Sequence, residues 1–382
     1  MQPEPGSTER ELAAAVRDWA AGLGTRIAEA EKAGRLPDDV IRELAALGVL
    51  GMTVPEADGG LGASSVAFAL VLEELAYAWP SLAVGVSVNS GIVAGSIVRF
   101  GTAAQRARWL PGLTDGSGLG AFALTEASSG SDAASLRATA AREGDGWVIT
   151  GRKQFITNAR YAPLAVVMAR VGASEPDRPH AGITAFLVPM DADGVTVGPP
   201  ERKMGLHASD TSALVLDGVR VGGDAVLGEI GRGFAIALAG LDGGRISVAS
   251  HSVGIARAAT DRAIAYARQR RQFGRALVEF EAIRFAFARA RTETEAARLL
   301  GLRAAWLRDQ GRPFTREASM AKLYASEAGQ RVTRAMLQVF GGYGYLRDYE
   351  VERYARDVRV ATLYEGTSEV QRLVIARSLL AA

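Results

Sequence analysis

Residues 144–151 read Gly-Asp-Gly-Trp-Val-Ile-Thr-Gly, and with Ala121-Phe122-Ala123-Leu124-Thr125-Glu126 upstream they mark where the chain changes texture. An Asp-Gly pair feeding into aromatic and β-branched residues is a hairpin signal. Residues 164–170, 182–189, 194–198 and 212–221 continue it as short β-rich runs, punctuated by Asp-Gly turns and closing prolines as in an antiparallel sheet or barrel. On either side the pattern is helical. Thr8-Glu9-Arg10-Glu11 fits a capping box, and apolar residues then recur at helical spacing, with further helices predicted over 37–48, 62–78, 80–100 and 103–110. From about Gly231 long helices return over 233–270, 282–309 and 313–340, with a last one after Gly366 whose apolar face carries Val370, Leu373 and Val374. A chain of 382 residues is too long for one ordinary core. The order α, β, α predicts an α+β fold: an N-terminal helical domain over 1–119, a middle antiparallel β domain over 120–229, and a C-terminal domain like a four-helix bundle over 230–382.

Composition narrows the function classes. With 48% hydrophobic residues, 23% charged residues and a formal net charge of +2, the chain reads as an ordinary folded protein. Its 44 basic and 42 acidic residues are interspersed, so neither nucleic acid nor an anionic membrane is an expected partner. Cysteine is absent, which excludes disulfides, iron–sulfur clusters and thiol nucleophiles and leaves redox chemistry to a bound cofactor. His180, His207 and His251 lack metal-site spacing and read as surface or core residues, so no metal is expected. The first residues lack the basic, apolar and cleavage regions of a signal peptide, and no uncharged apolar run of membrane-spanning length stands out. A cytoplasmic protein without membrane insertion is the expectation.

No Gly-x-Gly-x-x-Gly follows a strand, so a Rossmann site is not indicated. Other motifs carry more. Thr125, Gly130 and Ser131 lie on a polar loop after a strand, where hydroxyls and free N–H groups can hold a pyrophosphate, although a plain Ser/Gly turn has the same composition. Arg270 can bind a phosphate through two N–H groups or form a surface ion pair. Glu365, in Tyr364-Glu365-Gly366-Thr367, sits between a charged helix end and an apolar helix. There a carboxylate either projects into a cavity or complements a helix N-terminus.

Read together, 121–132, Leu241-Asp242-Gly243-Gly244-Arg245, Tyr266-Ala267 with Arg270-Arg271-Gln272-Phe273-Gly274, Gln338-Val339-Phe340-Gly341-Gly342-Tyr343-Gly344, and 356–367 resemble the signatures of the acyl-CoA dehydrogenase family in their family order. The resemblance covers nearly the whole chain. It implies an FAD contacted by Phe122, Leu124, Thr125, Gly130, Ser131, Phe155, Ile156, Thr157, Thr367 and Glu369. It further implies FAD contacts from Gln272, Phe273 and Glu281, and that Arg270, Gln338, Val339, Gly341 and Gly342 complete the FAD site of a neighbouring subunit in a homotetramer. Substrate contacts are implied for Ser131, Asp242, Arg245 and Gly366. Departures are visible: Ala127 stands for the usual proline, Ser129 for alanine, Phe155 for a frequent tryptophan, and Glu281 for glutamine.

Within that resemblance Glu365 is the base that takes the α-proton of an acyl thioester, a task for a carboxylate whose pKa an apolar pocket raises toward neutrality. Its backbone N–H helps polarise the thioester carbonyl. Some relatives place the base just before the arginine of Leu-Asp-x-x-Arg; here Gly244 stands there and has no side chain. The implied reaction is desaturation of an acyl-CoA to the trans-2-enoyl-CoA, with electrons passed to an electron-transfer flavoprotein. A carrier-protein-bound acyl group is the alternative substrate, and flavin monooxygenase chemistry on the same fold is disfavoured by Glu365. Helices around 77–100 are expected to line the acyl-tail pocket, whose length preference the motifs do not specify.

Overall fold

The computed structural model describes residues 4–173 and 177–380. Seven helices come first: α1 (Ser7–Ala21), α2 (Arg26–Ala33), α3 (Asp38–Ala46), α4 (Ser65–Ala78), α5 (Pro80–Val86), α6 (Gly95–Phe100) and α7 (Ala103–Thr114). Leu36, Leu44, Leu50, Leu72 and Trp79 form their shared core. The Trp79 indole N–H donates to Glu31 Oε1 at 2.8 Å, which satisfies the one polar atom of a fully buried ring. Helix α1 begins two residues before the expected place, because the N-cap is Gly6, whose N–H donates to Glu9 Oε2 at 2.6 Å, and Thr8 lies inside the helix. Helix α2 carried no recognised sequence signal.

Helices α5 and α6 are joined through a π-helical segment, Ser87–Ala94, into one rod over Pro80–Phe100. Its mean hydropathy of 1.6 is that of a membrane span, contrary to the expectation that no such stretch exists. The reason is burial: 78% of the window is packed inside the fold, and a core helix that is covered on all sides needs no polar face. Asn89 supplies polar anchoring there, since its Nδ2 donates to the Leu113 carbonyl at 2.9 Å and its Oδ1 accepts the Gly120 N–H at 2.8 Å.

The middle of the chain forms β1 (Ala121–Ala123), β2 (Thr139–Glu143), β3 (Gly146–Thr157), β4 (Leu164–Val171), β5 (Ile183–Pro189), β6 (Val195–Pro200), β7 (Thr211–Val221) and β8 (Val226–Leu227). They make one sheet in the order β6-β7-β3-β2-β4-β5-β8. The expected hairpin at Gly144–Asp145 is present as the β2–β3 pair, with Glu143 opposite Gly146. The sheet is mixed rather than wholly antiparallel: β1 and β2 each pair with β4 in parallel. Parallel neighbours need long connections, so no local turn signal announces them.

The C-terminal part contains α8 (Gly233–Gln269), a short hairpin of β9 (Arg271–Gln272) and β10 (Arg275–Ala276), α9 (Glu281–Asp309), α10 (Thr315–Phe340), α11 (Val351–Val358) and α12 (Ser368–Leu380). Helices α8, α9 and α10 pack on one another, α4 packs against α8, and α12 lies on α10. Charge as well as apolar contact joins α4 to this layer. Buried Glu73 accepts from Arg257 at 2.5 Å and from Arg298 at 2.9 Å, so its carboxylate is paired on both oxygens.

Candidate active site

A cleft of about 800 Å³ opens where the three parts meet. The α5–α6 rod supplies Ala83, Val84, Ser87, Val88 and Ile92. The sheet supplies Phe122, Leu124, Thr125, Phe155, Ile156 and Thr157, and the C-terminal part supplies Leu241, Ser247, Val248, His251, Tyr364 and Glu365. Seven residues singled out in the sequence therefore share one cavity: Phe122, Leu124, Thr125, Phe155, Ile156, Thr157 and Glu365.

Glu365 sits there in a left-handed conformation, φ +56°, followed by Gly366 at +86°. A glutamate held at positive φ is uncommon and is kept only where surrounding contacts impose it. Gln371 and Lys322 make those contacts. Gln371 Nε2 donates to the Glu365 carbonyl at 3.0 Å and to the Gly366 carbonyl at 2.9 Å, and Lys322 Nζ donates to the Gly366 carbonyl at 2.7 Å. The backbone is thus clamped while the side chain stays free. Glu365 Oε2 is buried with no hydrogen-bond partner. Burial pushes the carboxyl up to about 7, against the opposing pull of Arg245 and Lys322. Burial likewise lowers Lys322 to about 8.

A Cβ on Gly244 would lie 1.8 Å from Glu365 Oε2, so the carboxyl occupies the space that any side chain at 244 would claim. The two candidate base positions in the sequence reach one and the same place, and the chain fills it from 365. Beside it, Arg245 donates to Asp242 Oδ1 at 2.6 Å and to Ser319 Oγ at 3.2 Å, while the Thr315 hydroxyl donates to Asp242 Oδ2 at 2.5 Å. Asp242 and Arg245 hold each other under the base without lining the cavity.

Across the cleft Phe155 is 62% exposed and also left-handed, φ +59°. A large ring displayed on a cavity wall, flanked by the Thr125 and Thr157 side chains, suits a flat polar ring system. The loop carrying Thr125 is fastened from behind by a group the sequence reading missed. Lys153, fully buried, donates to the Leu124 carbonyl at 3.1 Å and to Glu126 Oε1 at 2.7 Å. Glu126 also accepts the N–H groups of Arg137 at 2.7 Å and Ala138 at 2.9 Å, so both ends of the loop hang on one carboxylate. Burial alone would raise Glu126; its partners outweigh this and leave it lowered, while burial brings Lys153 to about 8. Gly130 and Ser131 stand exposed on that loop.

The remaining candidates lie elsewhere on this chain. Thr367 caps the start of α12, its Oγ1 accepting the Val370 N–H at 3.3 Å, and Glu369 is exposed in the first turn. Arg270, Gln272 and Phe273 close α8 and enter the β9–β10 hairpin, with Glu281 exposed at the start of α9. Gln338, Gly341 and Gly342 are exposed at the end of α10, whereas Val339 is buried there. The Arg270 guanidinium lies 5.3 Å above the Tyr343 ring, so these two segments are neighbours. None of them lines the cleft of its own chain. His251, read from sequence as unremarkable, does line it; only its tertiary position on α8 reveals that.

Family models for the acyl-CoA dehydrogenase N-terminal, middle and C-terminal domains match residues 6–117, 121–219 and 231–380. The bovine (Bos taurus) mitochondrial short-chain specific acyl-CoA dehydrogenase is 44% identical over 353 residues, 92% of this chain and 85% of that one. Butyryl-CoA dehydrogenase from Megasphaera elsdenii superposes with a TM-score of 0.96 at 38% identity over the whole of both chains. A chain solved in work on the electron transferring flavoprotein of Acidaminococcus fermentans gives a TM-score of 0.96 at 36% identity, again over both whole chains. With all three domains matched in order around a cleft that holds a free, strained glutamate, the chain belongs to the acyl-CoA dehydrogenase family of FAD-dependent oxidoreductases.

Proposed function

We propose that the chain introduces a double bond between the α and β carbons of a short acyl-CoA, with Glu365 removing the α-proton. The observation that carries this is the Glu365 carboxyl: clamped by its backbone, unpaired at Oε2, raised to about 7 and facing the cleft. A base of that strength is poised to accept a proton near neutral pH. The backbone held by Gln371 and Lys322 fixes the Glu365 N–H, which polarises the thioester carbonyl as charge develops. Ala83, Val84, Val88 and Ile92 offer the alkyl chain an apolar wall that keeps water from the base. Phe122, Leu124, Thr125, Phe155, Ile156 and Thr157 hold the ring system of FAD, which supplies the hydride acceptor that no side chain can provide.

A short chain is favoured by the bovine and Megasphaera relatives, and an electron-transferring flavoprotein as acceptor by the Acidaminococcus one. A homotetramer fits the surface: Phe273 is 93% exposed, Tyr345 86% and Phe285 63%, an apolar display suited to burial between subunits. Arg270 and the 338–342 segment would then complete a neighbour's FAD site, which accounts for their distance from their own cleft. The test is anaerobic mixing of the purified yellow protein with butanoyl-CoA and with butanoyl carrier protein. Bleaching of an acid-releasable FAD by the CoA ester is the expected result. FMN in place of FAD, or a flavin that neither thioester bleaches, would overturn the reading.

A further inference from the structure

The rod and the sheet, two walls of the cleft, are joined by hydrogen bonds just behind the residues that line it. Asn158, fully buried and left-handed at φ +66°, follows the lining residue Thr157 at the end of β3. Its Nδ2 donates to the Gly85 carbonyl at 3.0 Å and to the Gly120 carbonyl at 3.1 Å. Carbonyls can only accept, so these partners fix which side-chain atom is the nitrogen. Gly85 follows Val84, a lining residue of the rod, and Gly120 stands two residues before Phe122 on the sheet wall. The Gly120 N–H in turn donates to Asn89 Oδ1, and Asn89 follows the lining residue Val88. Both glycines bring the walls close together: a Cβ on Gly85 would lie 3.2 Å from Asn158 Oδ1, and one on Gly120 would lie 2.7 Å from Val93 of the rod. Asn158 Oδ1 has no partner, so one hydrogen bond is left unmade while Nδ2 makes two. Apolar contact between rod and sheet is non-directional and lets them slide, whereas directional bonds at Gly85 and Gly120 hold one register.

We propose that Asn158 is a positioning residue that fixes the gap between the rod, which carries the alkyl chain, and the sheet wall, which faces FAD, and with it the path of the β-hydrogen. This rests on the acyl-thioester reading above and adds a residue to it. As the α-proton goes to Glu365, the electrons of that C–H bond form the double bond and the β-hydrogen leaves as a hydride for FAD. Glu365 is placed by its own clamp at Gln371 and Lys322, so the proton path does not depend on Asn158. The hydride path does, because its two ends are held by opposite walls. Asn158 acts only through those walls, since it does not itself line the cleft.

Two substitutions open the gap by different means. Asn158→Gly keeps the positive φ and removes both hydrogen bonds, whereas Gly85→Ala keeps Asn158 and sets a methyl against Asn158 Oδ1, Leu119 and Leu36 at 3.2, 3.3 and 3.4 Å. The flavin-loaded proteins are mixed anaerobically with butanoyl-CoA and with its α- and β-deuterated forms. At equal FAD content the limiting rate of bleaching should fall about tenfold or more in each variant, since misplacement by about an ångström costs roughly a hundredfold. The β-deuterium isotope effect should grow and the α-deuterium effect should not, a signature that loss of stability alone lacks. Without turnover, trans-but-2-enoyl-CoA should bind the variants with a dissociation constant within about threefold of the wild-type value. It should perturb the flavin absorption band less, because the bound chain lies farther from the ring. Wild-type limiting rates and isotope effects in both variants overturn the inference and leave the dehydrogenation reading standing; if Asn158→Gly does not fold, Gly85→Ala decides alone. A wild-type protein that no thioester bleaches overturns both.

Discussion

Asp357 and Glu365 are both carboxylates pushed up to about 7 by burial, and each has one oxygen with no partner, yet their surroundings make them different objects. Asp357 lies in the regular helix α11, fully buried, and its Oδ1 accepts the Leu206 N–H at 2.6 Å, tying the loop after the sheet's sixth strand to the C-terminal helices. Arg353 approaches its other oxygen only to 3.9 Å. It lines no cavity. Glu365 has a strained, clamped backbone, an unencumbered side chain and an open cleft before it. A raised carboxyl therefore marks a site only when geometry leaves it something to react with, and the neutral form of Asp357 is the ordinary answer to burial without a full partner.

The same substitution on both should separate them most widely. Glu365→Gln is expected to lower turnover by roughly a hundred- to ten-thousand-fold, the usual cost of losing a positioned general base, while flavin content stays at the wild-type level. Asp357→Asn should leave turnover within about twofold, provided the two are assayed below the unfolding transition of each. Similar losses for the two would erase the distinction between a structural and a catalytic carboxyl.

Gly244→Ala comes next. Its methyl would meet Glu365 Oε2 at 1.8 Å, so the carboxyl must move aside. A displacement of about an ångström at the reacting group costs on the order of a hundredfold, so kcat should fall by about that factor with little change in thermal midpoint. A fully active Gly244→Ala protein would mean that the carboxyl works from a different position.

Lys322 tests the electrostatics on a finer scale, because its charge favours the ionised form of Glu365. Wild-type kcat/KM should rise with pH through an ionisation near 7 as Glu365 loses its proton. In Lys322→Met the rising limb should move to higher pH, and a limb that stays put would assign it to another group.

The smallest effect is on stability. Asp357 ionises near 7 in the folded chain and near 3.8 when exposed, so the folded state holds a proton that the unfolded state releases in that window. The associated stabilisation is fully present below about pH 4 and is lost as pH rises through about 7. Asp357→Asn should remove that part of the pH dependence of the thermal midpoint, a change of about 2–4 °C per kcal/mol at issue. A midpoint whose pH profile is the same with and without the carboxyl would show that Asp357 does not titrate there.

Much of this arrangement was legible because it is encoded locally. Asp-Gly turns located the β2–β3 hairpin, 3.6-residue periodicity located the long helices, and the Tyr-Glu-Gly-Thr and Leu-Asp-x-x-Arg stretches put Glu365 and Gly244 forward together. What stayed hidden depends on tertiary placement. The left-handed backbone of Glu365 is imposed by Gln371 and Lys322, which no motif flagged. The parallel pairing of β1 with β4 joins distant segments, and the span-like hydropathy of Pro80–Phe100 acquires its meaning only from the core around it. His251 looked ordinary because nothing in its own neighbourhood of sequence says that α8 turns it toward the cleft.

The role of Glu365 is tested most directly by a single turnover in the absence of oxygen, following flavin absorbance after mixing butanoyl-CoA with wild-type and Glu365→Gln protein of equal FAD content. The expected result is prompt bleaching in the wild type, with a rate that climbs through pH 7, and at least a hundredfold slower bleaching in the variant at every pH. Bleaching of Glu365→Gln at close to the wild-type rate would mean that another group takes the α-proton.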